Sequence, residues 1–527
     1  MFKLKNKSPD NKPISQQDHP VYPDLQKNIH KVKHDLGESS DLVVRTFHLA
    51  GQTQITIGLL YIDGLIDQTA VQEFVLGSLM TKLQNTFKDK KINKQHLYDF
   101  IKESVLTISS VKDLQGFNDL YAHLLSGDAI LLIDEHPNGM AAGIRAWEDR
   151  GVTETSSQNV IRGPKEAFSE TLRTNTTLVR RRIKDPNLWI KTQQIGERTK
   201  TDIAVMYIKG VADENVIKEV HRRLDNIEID AILESGYIEE LIQDKTLTPF
   251  PTIFNSERPD SIAAGLLEGR VAIFVDGTPF VLMVPALFVQ FLQSSEDYYQ
   301  RADISTLLRI LRYITLLMSL LVPSMYIALT TFHQEMIPTP LLISLASQRE
   351  ATPFPAFIEA LIMEFTFEIL REAGIRLPKA IGSAISIVGA LVIGESAVQA
   401  GLISPAMVIV VSLTAISSFV TPAFNMAISI RMIRFPFMLL AASFGLYGII
   451  GGLILLVMHL CSLSSFGVPY MAPFGPHVKQ DQKDAILRVP QWKMITRPHL
   501  FKRETERQDQ TNRHHSKMRS QRKGERT

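Results

Sequence analysis

The stretch Leu308-Arg-Ile-Leu-Arg-Tyr-Ile-Thr-Leu-Leu-Met-Ser-Leu-Leu-Val-Pro-Ser-Met-Tyr-Ile-Ala-Leu-Thr330 decides the fold. It exceeds the roughly 20 apolar residues that an α-helix needs to cross a bilayer. Three more apolar runs follow, Ala380–Gly401, Pro405–Ile430 and Pro436–Cys461. Such a block predicts a helical membrane domain, whose jobs are limited to transport, conduction, signalling, anchoring or membrane-bound catalysis.

Charge sets an expected orientation. Arg309 and Arg312 open the first run, Arg371, Arg376 and Lys379 precede the second, and Arg431 and Arg434 lie between the last two. The positive-inside rule assigns all three clusters to the cytoplasm. The Thr331–Phe354 loop and the Gly401–Ser404 turn then fall outside, and Ala356–Ile369 must bring the chain back across. The same scheme leaves Cys461 outside, whereas the basic tail argues for inside, so the number of crossings stays open.

Within this block the ionisable residues are the functional candidates. Charges at membrane depth cost about 2.5–3.5 kcal/mol on insertion scales and usually face a bundle interior or a hydrated cavity. Glu364, Glu368 and Arg371 share one helical face by their i, i+4 and i, i+3 spacing, and Glu395 lies in an apolar run. A local Glu368–Arg371 ion pair at the interface is the structural alternative. Pro323 and Pro422 each remove a backbone donor inside a span and can kink it. Gly382, Ser386, Ala390 and Gly394 form a small-residue stripe that admits a close helix neighbour, and Gly448 and Gly452 repeat the device. Such stripes serve packing within one subunit as readily as an oligomer seam.

Outward from the block, residues 1–38 read as a basic, disordered arm and residues 476–527 as a basic, disordered tail. Between arm and block lies a soluble region with an internal repeat. Gln54–Gly64 and Thr201–Gly210 are matching apolar runs that predict buried strands, each followed by an N-capping aspartate, Asp67 and Asp213. The copies close alike, in Leu125–Asp134 and Leu267–Asp276, each running into a hairpin turn at Asn138-Gly139 or Asp276-Gly277. Two related α/β lobes are expected, residues 39–160 and 201–300, joined by a basic helical connector, 161–200. The connector's Arg173, Arg180, Arg181, Arg182 and Lys184 suit a solvated helix face, with anionic lipid head groups the functional alternative.

Composition excludes several classes. The 527 residues carry a net charge of +2, which does not suit a polyanion binder, so no nucleic acid is expected. A single cysteine rules out an internal disulfide, a cysteine zinc site and a thiol redox pair. The first residues lack an apolar signal core, so the N-terminal domain is expected in the cytoplasm. No phosphate loop, zinc-protease motif or hydrolase elbow occurs. Asp63, Asp134 and Asp276 sit beside turn glycines, where turn chemistry outweighs a catalytic reading. No enzyme, metal or cofactor is implied.

Specific stretches resemble the A subunits of the GerA-type nutrient germinant receptors of endospore-forming bacteria. They are Ser39-Ser-Asp-Leu-Val-Val-Arg45, Gly163-Pro-Lys-Glu-Ala-Phe168, Arg180-Arg-Arg-Ile-Lys-Asp-Pro186, Val275-Asp-Gly-Thr-Pro-Phe280, Gln293-Ser-Ser-Glu-Asp-Tyr-Tyr299 and Arg349-Glu-Ala-Thr-Pro-Phe-Pro355. Met363-Glu-Phe-Thr-Phe-Glu-Ile-Leu-Arg-Glu-Ala-Gly374, running on to Gly394-Glu395, is the most similar. The resemblance implies a multi-pass protein of the spore inner membrane. It would act with a multi-spanning, nutrient-recognising B subunit and a lipoprotein C subunit. It would also form a homo-oligomer that serves as a ligand-gated cation channel. The expected architecture is α+β followed by membrane α: a two-lobed cytoplasmic α/β domain with an internal repeat, then a multi-spanning helical membrane domain over 301–475. Glu364, Glu368, Arg371, Glu395 and Pro323 are the pore or gating candidates. A secondary transporter and a membrane scaffold without conductance are the alternatives.

Overall fold

The computed structural model describes residues 19–49, 55–72, 98–102, 111–145, 155, 158–376, 394–494 and 496–498. They form two compact units. One comprises Met1–Thr155, Lys165–Ile238 and Asn255–Met283, the other Ser156–Pro164, Glu239–Phe254 and Val284–Thr527.

The first unit holds two five-stranded sheets of the same topology. Lobe 1 contains β1 (Leu42–Leu49), β2 (Ile55–Ile62), β3 (Val111–Leu114), β4 (Ala129–Ile133) and β5 (Gly139–Ala142), in the order β1-β2-β4-β5-β3. Lobe 2 contains β6 (Leu188–Ile195), β7 (Thr201–Ile208), β8 (Phe254–Ser256), β9 (Val271–Val275) and β10 (Val281–Val284), in the order β6-β7-β9-β10-β8. The opening hairpins match in register, with Leu42 opposite Ile62 and Leu188 opposite Ile208. The central strands β4 and β9 are buried along their whole length, which explains their unbroken apolar sequence.

The repeat extends further upstream than sequence patterning indicates. Helix α1 (Leu25–Asp35) precedes β1, so the expected disordered arm ends in ordered structure. Asp24 caps it by accepting from Gln26 N and Lys27 N at 2.9 and 3.1 Å. Leu25, Ile29 and Val32, spaced at i, i+4 and i+7, bury one face against lobe 1. Helix α2 (Phe117–Leu124) lies between β3 and β4 and joins the same core.

The connector helix α3 (Leu172–Arg182) is the lobe 2 counterpart of α1. Buried Asn28 exchanges hydrogen bonds with the backbone of Tyr22, and buried Asn175 does the same with Ser169, six residues upstream in both cases. Asp134 accepts from Leu25 N at 3.1 Å, and Asp276 accepts from Leu172 N at 2.9 Å. These turn aspartates thus anchor the helix that opens their own lobe. Replacing Asp134 or Asp276 by alanine should cost about 1 kcal/mol in each case, as for other helix-start acceptors. Urea titration of the two variants checks this. Unequal losses, with one variant unchanged, would break the equivalence. Helices α4 (Glu214–Asp225) and α5 (Pro259–Glu268) complete lobe 2, and Asp213 caps α4 through Asn215 N. In lobe 1, Asp67 accepts from Thr69 N and Ala70 N, and the helix expected beyond residue 72 lies outside the described residues.

The basic connector is not simply a solvated face, although Arg173 and Lys184 are exposed. Arg180 is 1% exposed and donates to Asp41 at 2.8 and 3.1 Å, to Ser39 Oγ at 3.0 Å and to Leu188 O at 2.6 Å. Arg173 pairs with Asp63 at 2.7 Å, and Arg182 pairs with Glu166. Ser39 Oγ in turn accepts from Ile190 N at 3.0 Å. Arg173 and Arg180 therefore staple the two lobes together.

The second unit is helical. Its helices are α6 (Ala302–Thr331), α7 (Thr339–Glu350), α8 (Ala356–Arg376), α9 (Pro405–Phe419) and α10 (Phe424–Ser462), and all but α7 share one apolar core. Among the described residues, α6 and α10 are long and apolar enough to cross a membrane, and α9 is apolar over 15 residues. The run expected over Pro405–Ile430 is broken at Thr421–Ala423, so Pro422 lies between helices. Pro323 does lie inside α6.

Helix α10 is two antiparallel arms. Gly445 adopts φ +59° and ψ −139°, outside helical geometry. A Cβ on Gly452 would stand 3.0 Å from Leu440 Cδ1 and 3.1 Å from Phe437 Cε1. In a straight helix, Phe437 and Gly452 would lie about 22 Å apart. Ser429 and His459, from opposite ends of α10, both reach the Thr248–Phe250 segment. The turn needs glycine, because a Cβ at position 445 would also meet His333 Cε1 at 2.7 Å. Gly445→Ala should cost roughly 1–3 kcal/mol. Thermal unfolding in detergent tests this against Gly451→Ala, whose Cβ would meet nothing within 4 Å. Equal melting temperatures would refute the bend.

The expected disordered tail also begins with structure. Residues Asp481–Asp484 form a 3-10 turn, and Ala485, Arg488 and Met494 are buried.

Candidate functional site

Helix α8 carries four acids, and arginines from other elements meet three of them, Glu359, Glu364 and Glu368. Glu359 is fully buried and accepts from Ser404 N and Oγ at 3.1 and 2.8 Å, with Arg349 Nε at 3.7 Å. Glu364 is fully buried and pairs with Arg434 of the first α10 arm. Arg434, 1% exposed, also donates to Ser319 Oγ of α6 at 3.1 Å. Glu368 takes Arg371 at 2.6 Å and Arg431 Nη1 at 3.3 Å. Three helices therefore meet at one buried polar bolt, Glu364–Arg434–Ser319.

The expectation that Arg431 and Arg434 lie between two spans is overturned. The chain breaks at Pro422 and Gly445, not at 431–435, so both arginines lie mid-arm. Pro436 does not end the helix, since it occupies the middle of a 39-residue element whose break comes later. Arg431 and Arg434, three residues apart on one helix, face Glu368 and Glu364, four apart on its antiparallel neighbour. Complementary spacing of this kind was the one signal in the sequence for these partners. Ser319 and Arg349 had none.

The remaining candidates separate from this group. Glu395 is exposed and accepts from Gln399 at 3.2 Å, one helical turn away. Gly382, Ser386 and Ala390 lie outside the described residues. At Gly394 a Cβ would meet Val408 Cγ1 of α9 at an ordinary 3.8 Å. Gly448 and Gly452 pack the two α10 arms of one chain. Among the described residues, no group of three or more His, Cys, Asp or Glu could hold a metal ion.

Paired buried charges can do one thing well. Removing either member leaves the other unpaired in a low-dielectric core, so the pair fixes helix register. Partner exchange between such pairs is a route to a second packing state.

Residues 30–500 match the family described as Bacillus/Clostridium GerA spore germination protein. Spore germination protein KA of Bacillus subtilis (strain 168) is 51% identical over 484 residues, covering 92% of this chain and 88% of that protein. The uncharacterized membrane protein YfkQ of the same organism is 45% identical over 487 residues, covering 92% and 93%. The crystal structure of the N-terminal domain of the A subunit of the Bacillus megaterium spore germinant receptor GerK3 is 41% identical. It covers 52% of this chain and 100% of that one, with a TM-score of 0.42. A match spanning the paired lobes and the helical unit alike makes this chain a member of the GerA family of spore germination proteins, as a GerA-type A subunit.

Proposed function

We propose that this A subunit is a multi-pass membrane protein of the spore, and that it forms a homo-oligomeric cation path gated by nutrient binding in a partner. The partners are a multi-spanning B subunit and a lipoprotein C subunit. The N-terminal lobes are cytoplasmic.

The alternation of the helices supports the multi-pass reading. Glu359 bonds Ser404, and Gly445 contacts His333, so these turns cluster at one end. Ser429 and His459 meet the Thr248–Phe250 segment at the other. Apolar side chains such as Leu317, Ile409, Ile416, Leu439 and Leu455 are exposed, as lipid- or subunit-facing groups would be. In this reading the end bearing His333 and Gly445 is outside. Cys461 and the basic tail are then inside.

The observation that carries the gating reading is the row of α8 carboxylates clamped by arginines of α10. Acidic rings select cations, and carboxylates neutralised by arginine do not attract them. Loosening this clamp would turn the acids towards a hydrated path. Nutrient-triggered release of potassium and sodium, measured on spores carrying Glu364→Gln with Glu368→Gln, tests this. The expected result is altered ion preference or lost release at normal receptor abundance. Unchanged release with unchanged preference removes both residues from the pathway.

A further inference from the structure

At the base of α6 a strap from the C-terminal segment is held by one carboxylate. Asp484 accepts from Arg309 Nη1 at 2.7 Å and from Tyr298 OH at 2.7 Å. Its backbone carbonyl accepts from Arg309 Nη1 at 2.7 Å and from Gln293 Nε2 at 2.6 Å. Downstream, Thr306 Oγ1 exchanges hydrogen bonds with Arg488 N and O. In the strap, Ile486 and Leu487 are exposed, whereas Ala485 and Met494 are buried.

The pocket is a built one. The Arg309 side chain is 1% exposed and its Nη2 has no partner among the described residues. Asp297 already serves Arg309 at 3.0 Å and Arg312 at 2.7 Å. Two guanidiniums, of Arg309 and Arg312, thus share two carboxylates, of Asp297 and Asp484, while Arg488 lies by the Tyr298 ring and donates to Tyr298 O at 3.4 Å. One donor of this group, Arg309 Nη2, remains unmatched among the described residues. A phosphate group brings more negative charge and more acceptor oxygens than a carboxylate, and it fits the arginine fork.

We propose that Asp484 is the resident occupant of an oxyanion site at the base of α6, and that a phosphate-type oxyanion displaces it and frees residues 477–494. Two sources share this chemistry, a lipid head group and a free phosphate. The lipid source rests on the membrane reading given above, which puts the base of α6 at head-group level. The free source does not depend on it.

Hydrogen–deuterium exchange over residues 481–494 of the full chain decides the matter. The probes are inorganic phosphate in detergent and phosphatidic acid in nanodiscs of zwitterionic lipid, with chloride at matched ionic strength as control. Exchange is expected to rise about tenfold with an active anion and to stay put with chloride. Asp484→Asn should exchange fast without any anion. Arg309→Lys, which keeps the charge and loses the fork, should need more anion than the parent chain. A response to phosphate in detergent identifies a free-anion site, and a response to phosphatidic acid alone identifies a head-group site. Failure to enter nanodiscs would sink the membrane reading while leaving the phosphate arm intact. Exchange unmoved by both anions, or Asp484→Asn as protected as the parent, overturns the proposal.

Discussion

Replacing Arg180 by alanine is expected to destabilise the N-terminal unit by about 3–5 kcal/mol, the range seen when one member of a buried ion pair is removed. Four acceptor atoms lose their donor together: both Asp41 oxygens, Ser39 Oγ and Leu188 O. Asp41 is only 12% exposed in its side chain, so water replaces the guanidinium poorly. The loss falls on the joint between lobes, because Asp41 immediately precedes β1 whereas Leu188 opens β6. Arg180→Lys should recover part of it, since a lysine keeps the charge but not the bidentate fork. Trp189 adjoins the joint, with its indole nitrogen 3.4 Å from Asp35 O, and its fluorescence reports unfolding in urea. Lys184→Ala is the matched control: its ammonium reaches Ser126 at 3.2 Å from an exposed position and should matter by less than about 0.5 kcal/mol. Equal midpoints for the Arg180 and Lys184 variants would mean that the lobes do not depend on this contact.

Much of the N-terminal unit is legible in the sequence because strands announce themselves locally. The apolar runs ending at Gly64 and Gly210 gave the repeat, and Asp67 and Asp213 gave their caps. Of the helices that open each lobe, that of lobe 2 reads only as a basic connector and that of lobe 1 falls in the arm expected to be disordered. Their anchoring acids, Asp134 and Asp276, lie more than 100 residues downstream, and nothing local links Asp276 to Leu172. For the same reason Arg180 reads as one more charge in a basic run until its partner, 139 residues away, is known.

The helical unit misleads in the opposite way. Hydropathy sees length, so Arg431, Arg434 and Pro436 read as the boundary between two apolar runs. The chain instead breaks at Gly445, the one conformation in that region that only glycine accepts readily. An arginine mid-arm is tolerable because Glu364 is brought to it from 70 residues away. Hydropathy assigns a cost to each of these charges alone, and the paired cost is a property of the fold.

Replacing Arg434 by methionine should therefore lower stability by about 3–5 kcal/mol, since Glu364 would remain ionised or become protonated in a site with no other guanidinium at hand. The neighbouring Arg371 and Arg431 already share Glu368. Ser319 Oγ would lose its donor as well. The double variant Arg434→Met with Glu364→Leu should restore most of the loss, because apolar replacements of similar volume often match or exceed a buried ion pair in stability. Thermal unfolding of the full chain in detergent reads all three proteins. The pattern also bears on gating. If Glu364 faced water within the subunit, losing Arg434 would be nearly harmless, and the carboxylate would already stand in a hydrated passage. A large single-variant loss recovered in the pair instead makes the acid part of a lock, which the proposed cation path would have to open.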